Sequence, residues 1–254
     1  PPFSKTRGVW AHIQARPEKV IGVLDTLHSQ AGHAVAAACK LLGRSCVNYY
    51  PVFKREGVNP PLRPAQAAAY RLGAAVIALP AGRSAILYHQ ARKRLQQDRV
   101  PLGPDDGEAY MMPNALKLPE MVVETAAEVE RTTIPDAVKH IIVPASSATI
   151  AAGVMRGLRR IGWGGEVIIH MGYSRSHEAL MEHVLSFPEP LAEDGQRSKV
   201  RLVDEGYSYS DKAKPGETPP WPCNEYYDLK AFRWFLENGE RLGLTGSTML
   251  WNIG

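Results

Sequence analysis

The segment HIIVPASSATIAAGVMRGLRRIG, residues 140–162, decides the fold. Its first six residues predict a buried strand, and its second half predicts a helix. Five small residues, Ala145 to Thr149, separate the two elements. Because small side chains leave backbone N–H groups accessible, this turn can bind a phosphate, with Ser and Thr hydroxyls as further donors. The same residues also suit a tight strand–helix turn without a function.

Strand, short loop and helix follow one another in this order along most of the chain. Strands are predicted at residues 19–26, 45–53, 75–82, 140–145, 166–172 and 248–254. Helices are predicted at residues 31–43, 64–74, 84–97, 118–132, 146–162, 176–187 and 229–243. This alternation predicts an α/β protein of three α/β/α layers with mostly parallel sheets. Ligands in such folds bind at the carboxyl ends of the strands.

Composition narrows the class of protein. The 254 residues are 44% apolar and 22% charged, with three cysteines and a net charge of +4. No apolar run is long enough for a membrane span, and the cysteine spacing fits neither a disulfide framework nor a zinc site, which favours a reducing cytoplasm. His170 and His177 lack metal-ligand spacing, so no metal is expected. The positive charge suits a phosphorylated or carboxylated ligand, or nucleic acid.

A second loop, DTLHSQAGHAVAAA at residues 25–38, also leads from a strand into a helix. His28, Ser29 and Gln30 stand at the start of an alanine-rich helix, where free N–H groups and the helix dipole favour anions. In the alternative interpretation, Ser29 is only an N-cap.

Residues 192–228 are polar and rich in Pro and Gly, as binding loops often are. The chain has no GxxxxGK[ST] motif, which argues against nucleotide triphosphate hydrolysis. It also lacks the GxGxxG fingerprint of dinucleotide-binding proteins.

Five short motifs in sequence order carry a resemblance to a known family. They are SKTR (4–7), HSQ (28–30), ASSAT (145–149), EGYSYS (205–210) and NEYYDLKA (224–231). Together they resemble the tryptophan-synthase β-like, fold type II, pyridoxal-phosphate enzymes. The nearest likeness is to 1-aminocyclopropane-1-carboxylate deaminase and D-cysteine desulfhydrase.

The resemblance implies pyridoxal 5′-phosphate as cofactor and a role for each motif. Lys5 would form the Schiff base, Ser29 and Tyr207 would act on the substrate, and the turn would bind the phosphate through Ala145, Ser146, Ser147, Ala148 and Thr149. His28, Ser29 and Gln30 would hold the substrate carboxylate. For Tyr207, the alternative is an aromatic side chain that only covers the edge of the core.

The resemblance also implies one catalytic unit, residues 1–254, with two subdomains around a cofactor cleft. We expect a smaller subdomain at residues 20–112 and a larger, cofactor-binding one at 1–19 and 113–254. The family's acidic partner of the pyridine nitrogen falls where this chain reads ETPPWPC, so Thr218 or Cys223 would be a neutral partner.

Three functions follow as hypotheses. The first is a lyase, deaminase or decarboxylase acting at Cα of a small amino-acid-like substrate. The second is a bacteriophage enzyme that decarboxylates an aminoacyl-modified thymine in DNA, with basic clusters near Arg92 and Arg159 and loop aromatics contacting the nucleic acid. The third is a cofactor-free binding protein of the same fold. We expect a homodimer in the cytoplasm of a bacterial cell or phage-infected host, with no membrane partner.

Overall fold

The computed structural model describes residues 3–56, 60–97, 108–187 and 199–253. The chain folds into two compact units, Pro1–Leu118 and Pro119–Gly254. The expected boundary near residue 112 differs by a few residues, and residues 1–19, expected with the larger subdomain, lie in the first unit because their helix packs there.

The described residues form eight α-helices, two short 3-10 helices (Lys54–Glu56 and Asn114–Leu116) and eight strands. The helices are α1 (Phe3–Gln14), α2 (Ala31–Leu41), α3 (Pro64–Arg71), α4 (Ser84–Gln97), α5 (Pro119–Arg131), α6 (Thr149–Arg160), α7 (His177–Leu185) and α8 (Asp228–Asn238). The strands are β1 (Val20–Leu24), β2 (Ser45–Val52), β3 (Ala75–Pro80), β4 (Ala109–Met111), β5 (His140–Ala145), β6 (Glu166–Met171), β7 (Lys199–Val203) and β8 (Thr248–Leu250).

The first unit is built on a parallel sheet of four strands in the order β3-β2-β1-β4. All five residues of β1 are buried, so the sheet is covered on both faces at its centre. Val20 and Leu24 face Leu87 and Leu95 of α4 in one apolar cluster, while the alternate residues point to the other face, where α2 contacts the strand.

Helix α1, which the sequence patterns did not predict, packs against α2. Val9 and Ile13 lie one turn apart and are both 0% exposed, so they form the apolar stripe that fixes the helix. Lys5 therefore lies in the first turn of an anchored helix rather than in a fraying terminus.

The second unit repeats this design with the parallel order β7-β6-β5-β8. Ile142 and Ile168 pack against Trp234 of α8 in a second apolar cluster. On α6, Gly157 allows close approach to α5, because a Cβ there would lie 2.5 Å from Val129 Cβ and 2.7 Å from the Ala126 carbonyl oxygen. Helices α5 and α6 therefore pack closely at this point.

The predicted α/β class with parallel sheets is confirmed. Strand β7 is a correction: residues 199–203 were expected in an irregular loop, yet they pair with β6. The strand lies at the sheet edge and is only partly buried, so its apolar signal is weak. The glycine-rich loop at residues 103–107 lies outside the described residues. Across the ranges that the structure describes, no helix is both long and apolar enough to cross a membrane.

Candidate functional site

The turn between β5 and α6 has the features of an anion-binding loop. Thr149 is the first residue of α6, and the half-buried Ser146 and Ser147 lie just before it in the turn. The Ser147 and Thr149 hydroxyls lie 3.2 Å apart. Ala148 has φ 65° and ψ 6°, a left-handed conformation that a residue other than glycine adopts only when its surroundings impose it. Since the first N–H groups of any helix lack intrahelical partners, the turn offers both backbone and hydroxyl donors.

Two neighbouring side chains organise this turn. His183 of α7 places Nε2 3.1 Å from the Thr149 hydroxyl. The buried Tyr227 hydroxyl hydrogen-bonds with Ser146 and with Tyr209, and burial raises the pKa of Tyr227. Gly172 makes room for that ring, because a Cβ there would lie 2.5 Å from Tyr227 Cδ1. The turn is thus held from two sides.

Lys230 is a buried amine in the same unit. Its side chain is 0% exposed, and Nζ donates a hydrogen bond of 2.5 Å to the Gly172 carbonyl. Nζ also lies 4.2 Å from the centroid of the Tyr207 ring. Burial lowers the pKa of Lys230 to about 8. Tyr207 is half-buried, and burial followed by the charge of Glu205 raises its pKa.

A carboxylate that the motif comparison missed lies at the start of α8. Asp228 is 0% exposed, and its Oδ1 accepts a hydrogen bond of 2.7 Å from the Ile253 N–H. Burial and the charge of Asp228 raise the pKa of Cys223 to about 11, which keeps that thiol protonated. Thr218, the other predicted partner of a ring nitrogen, is exposed. The sequence shows an acidic residue directly after NEYY, but its burial is visible only in the structure.

In the first unit, Lys5 is half-buried in the first turn of α1, between the buried Ser4 and the half-buried Thr6. Ser29 Oγ accepts a hydrogen bond of 3.0 Å from the Ala31 N–H. Its hydroxyl hydrogen can therefore be donated to an anion. Gln30 occupies the N-cap position of α2, and its Oε1 lies 3.4 Å from His33 Nδ1.

Beneath this loop lies the buried carboxylate of Asp25, which is 1% exposed. Its oxygens accept hydrogen bonds from the Thr26 N–H at 3.0 Å and from Gln66 Nε2 at 2.9 Å. The Gly32 N–H and the Asn48 side chain also act to lower its pKa. Burial nevertheless outweighs these bonds and raises the pKa of Asp25 to about 6.

This raised pKa predicts a dependence of stability on pH. Asp25 in the native state keeps its proton up to about pH 6, whereas in the unfolded chain its pKa is 3.8. The native state therefore binds more protons between these values, so the free energy of unfolding falls by about 2 kcal/mol as pH rises from 4 to 7. We expect Asp25→Asn to remove this fall, so that the variant gains stability relative to the wild type as pH rises.

Urea unfolding between pH 4.5 and 7.5 tests the expectation. Glu108→Gln, which changes an exposed carboxylate of the same unit, serves as the control. Stability curves of Asp25→Asn and wild type that run parallel over this range would contradict a raised Asp25 pKa.

The predicted site residues divide between the two units. Lys5, His28, Ser29 and Gln30 belong to the first, and Ala145 to Thr149, Tyr207, Thr218 and Cys223 belong to the second. Within the second, the structure links the turn to Tyr227 and His183, but Thr218 is on an exposed segment. Sequence reasoning gave no role to His183 or Asp228.

The architecture defines a class: two parallel α/β units, with an anion-binding turn after β5 in the second. Residues 4–205 match the family described as pyridoxal-phosphate dependent enzyme. The whole chain is 46% identical, over 260 residues, to a Glycyl-dTMP PLP-dependent decarboxylase of Pseudomonas phage M6, covering 88% of that protein. The chain belongs to the pyridoxal-phosphate-dependent enzyme family, as its motifs indicated, and is an enzyme that uses this cofactor.

Solved structures agree on the fold. An ACC deaminase homologue is 15% identical with a TM-score of 0.76, covering 99% of this chain and 79% of the other. Diaminopropionate ammonia lyase of Escherichia coli is 14% identical with a TM-score of 0.59, covering 98% and 71%. At these identities the likeness shows the fold alone, and it confirms fold type II.

The residues of the second unit fit the cofactor. Its phosphate requires several converging donors and no nearby bulk, and the turn offers small side chains, the Ser147 and Thr149 hydroxyls and the start of a 12-residue helix. The buried carboxylate of Asp228 would suit a protonated pyridine nitrogen, which requires a negative charge beside it.

Proposed function

We propose that this enzyme removes the α-carboxylate from a glycyl-modified thymidylate. The full-length identity of 46% to a phage decarboxylase of that description carries the proposal. In this reaction the bond between Cα and the carboxylate carbon breaks, CO₂ leaves with no electron pair from that bond, and a proton takes its place on Cα. No oxidant or reductant is needed.

Bound pyridoxal phosphate supplies a conjugated ring that accepts the electron pair left on Cα. We assign its phosphate to residues 145–149, where the Thr149 hydroxyl is oriented by His183. Asp228 would hold a proton at the ring nitrogen. Lys5 Nζ would attach to the cofactor aldehyde and later carry a proton to Cα.

The loop before α2 would position the substrate. Ser29 already accepts the Ala31 N–H, so it acts as a hydroxyl donor toward the substrate carboxylate. We assign Gln30 and His28 to the same group. Tyr207, held from one side by Lys230, would exclude water near the reacting carbons.

The experiment compares glycyl-dTMP with free amino acids as substrates of the holoenzyme. We expect a nucleotide product lighter by one CO₂, carrying a single deuterium at Cα when the reaction runs in D₂O. Release of ammonia from free amino acids, with glycyl-dTMP unchanged, would instead favour the deaminase hypothesis.

Partners and location complete the proposal. A modified nucleotide in the DNA of a phage-infected bacterium is the setting that the phage relative supports. Of the two basic clusters, the one near Arg92 is the better candidate for DNA contact, because Arg92 is exposed. In the cluster near Arg159, Arg160 forms an ion pair of 2.8 Å with Glu130. A homodimer in the host cytoplasm stays a prediction from the family resemblance.

A further inference from the structure

Arg175 lies in the loop between β6 and α7 and has no partner among the described residues. Its Nε and Nη2 atoms are buried, and neither is hydrogen-bonded to any residue that the structure describes. The side chain as a whole is half-buried. Two buried guanidinium nitrogens without hydrogen-bond partners are costly, so this arrangement favours the binding of an anion.

The neighbouring carboxylates are engaged elsewhere. Asp204 Oδ1 accepts hydrogen bonds from Ser174 Oγ at 2.5 Å and from the Gly206 N–H at 2.9 Å, and Oδ2 lies 3.4 Å from His177 Nε2. Glu205 pairs with the buried His170 at 2.8 Å. Asp204 and Glu205 therefore bind other side chains and not Arg175.

The loop carrying Arg175 is fixed at the same edge of the sheet as the phosphate-binding turn. The Gly172 N–H donates to the Ala145 carbonyl at 2.9 Å, and the Ser174 N–H donates to the Tyr207 carbonyl at 2.8 Å. Tyr173 packs edge-to-face on Tyr209, with ring centroids 5.1 Å apart. Arg175 thus belongs to a loop that follows β6, the strand next to the one that leads into the proposed phosphate turn.

We propose that Arg175 binds the phosphate group of a nucleotide substrate. This inference rests on the proposed function, because a thymidylate brings a phosphate in addition to that of the cofactor. The turn at residues 145–149 has its own hydroxyl and backbone donors for the cofactor phosphate, which leaves Arg175 for the second one. A guanidinium binds phosphate through two parallel hydrogen bonds, which lysine cannot reproduce.

Binding of thymidine 5′-monophosphate and of thymidine to the holoenzyme, measured by calorimetry, tests the proposal without turnover. We expect the wild type to bind the monophosphate about 10- to 100-fold more tightly than the nucleoside. Arg175→Gln should reduce this ratio to about one, and Arg175→Lys should restore part of it. Arg131→Gln, which changes an exposed arginine at the end of α5, should keep the wild-type ratio.

A wild-type enzyme without preference for the monophosphate overturns the proposal, and so does an unchanged ratio in Arg175→Gln. Titration of the apoenzyme separates the two phosphate sources. If Arg175→Gln weakens binding of pyridoxal phosphate but not of pyridoxal, the arginine serves the cofactor and the proposal fails. Arginine-dependent binding of the monophosphate without decarboxylation of glycyl-dTMP would refute the proposed reaction and leave this inference standing.

Discussion

Replacing Lys5 by alanine is expected to abolish covalent attachment of the cofactor and to lower kcat by about 1000-fold or more. The variant loses both the amine that bonds to the aldehyde and the proton carrier at Cα. Its fold should persist, because Val9 and Ile13, each 0% exposed, hold α1 in place. Borohydride reduction followed by peptide mass spectrometry measures the attachment directly: the wild-type Lys5 peptide should gain a pyridoxyl group.

Two other lysines sharpen this test. Lys19→Ala changes an exposed lysine just before β1 and should leave both the labelling and kcat unaltered. Lys230 is the rival nucleophile, because burial lowers its pKa to about 8. Its Nζ, however, already donates a hydrogen bond of 2.5 Å to the Gly172 carbonyl. A pyridoxyl group found on the Lys230 peptide would transfer the covalent role to that residue.

The sheets could be predicted because their strands are buried on both faces. Continuous apolar runs such as VIGVL and HIIVPA have few alternatives to a central parallel strand, and both form one. Strand β7 lies at an edge, and its pattern KVRLV mixes charged with apolar residues. Helix α1 depends on Val9 and Ile13 packing against α2, a tertiary contact that local patterns do not report.

Some parts of the candidate site could likewise be predicted from the sequence, and others could not. The turn at 145–149 could be predicted because a run of small residues between a strand and a helix is a pattern visible in the sequence, and phosphate binding there stays a proposal. Asp228 and Arg175 could not, because the burial of Asp228, and the lack of a described partner for the buried nitrogens of Arg175, are visible only in the structure. Both properties arise from packing, which brings Ile253 against Asp228 and ties Ser174 to the Tyr207 loop.

Replacing Asp228 by asparagine is expected to lower kcat by about 100- to 1000-fold while the protein stays folded. The amide oxygen can still accept the Ile253 N–H, which Asp228 Oδ1 now accepts at 2.7 Å. What the variant loses is the negative charge, and with it the means to keep a proton on the ring nitrogen. Steady-state kinetics on glycyl-dTMP, with thermal unfolding of each variant, separates this loss from destabilisation.

Thr218→Val and Cys223→Ala are the matched variants, since they remove the two neutral partners that the sequence suggested. Both should keep kcat within about threefold of the wild type, because Thr218 is exposed and the proposal gives the contact with the ring nitrogen to Asp228. Were Cys223→Ala inactive and Asp228→Asn active, a neutral ring nitrogen would be the working form. The buried carboxylate would then serve only to bind the Ile253 N–H and fix the start of α8.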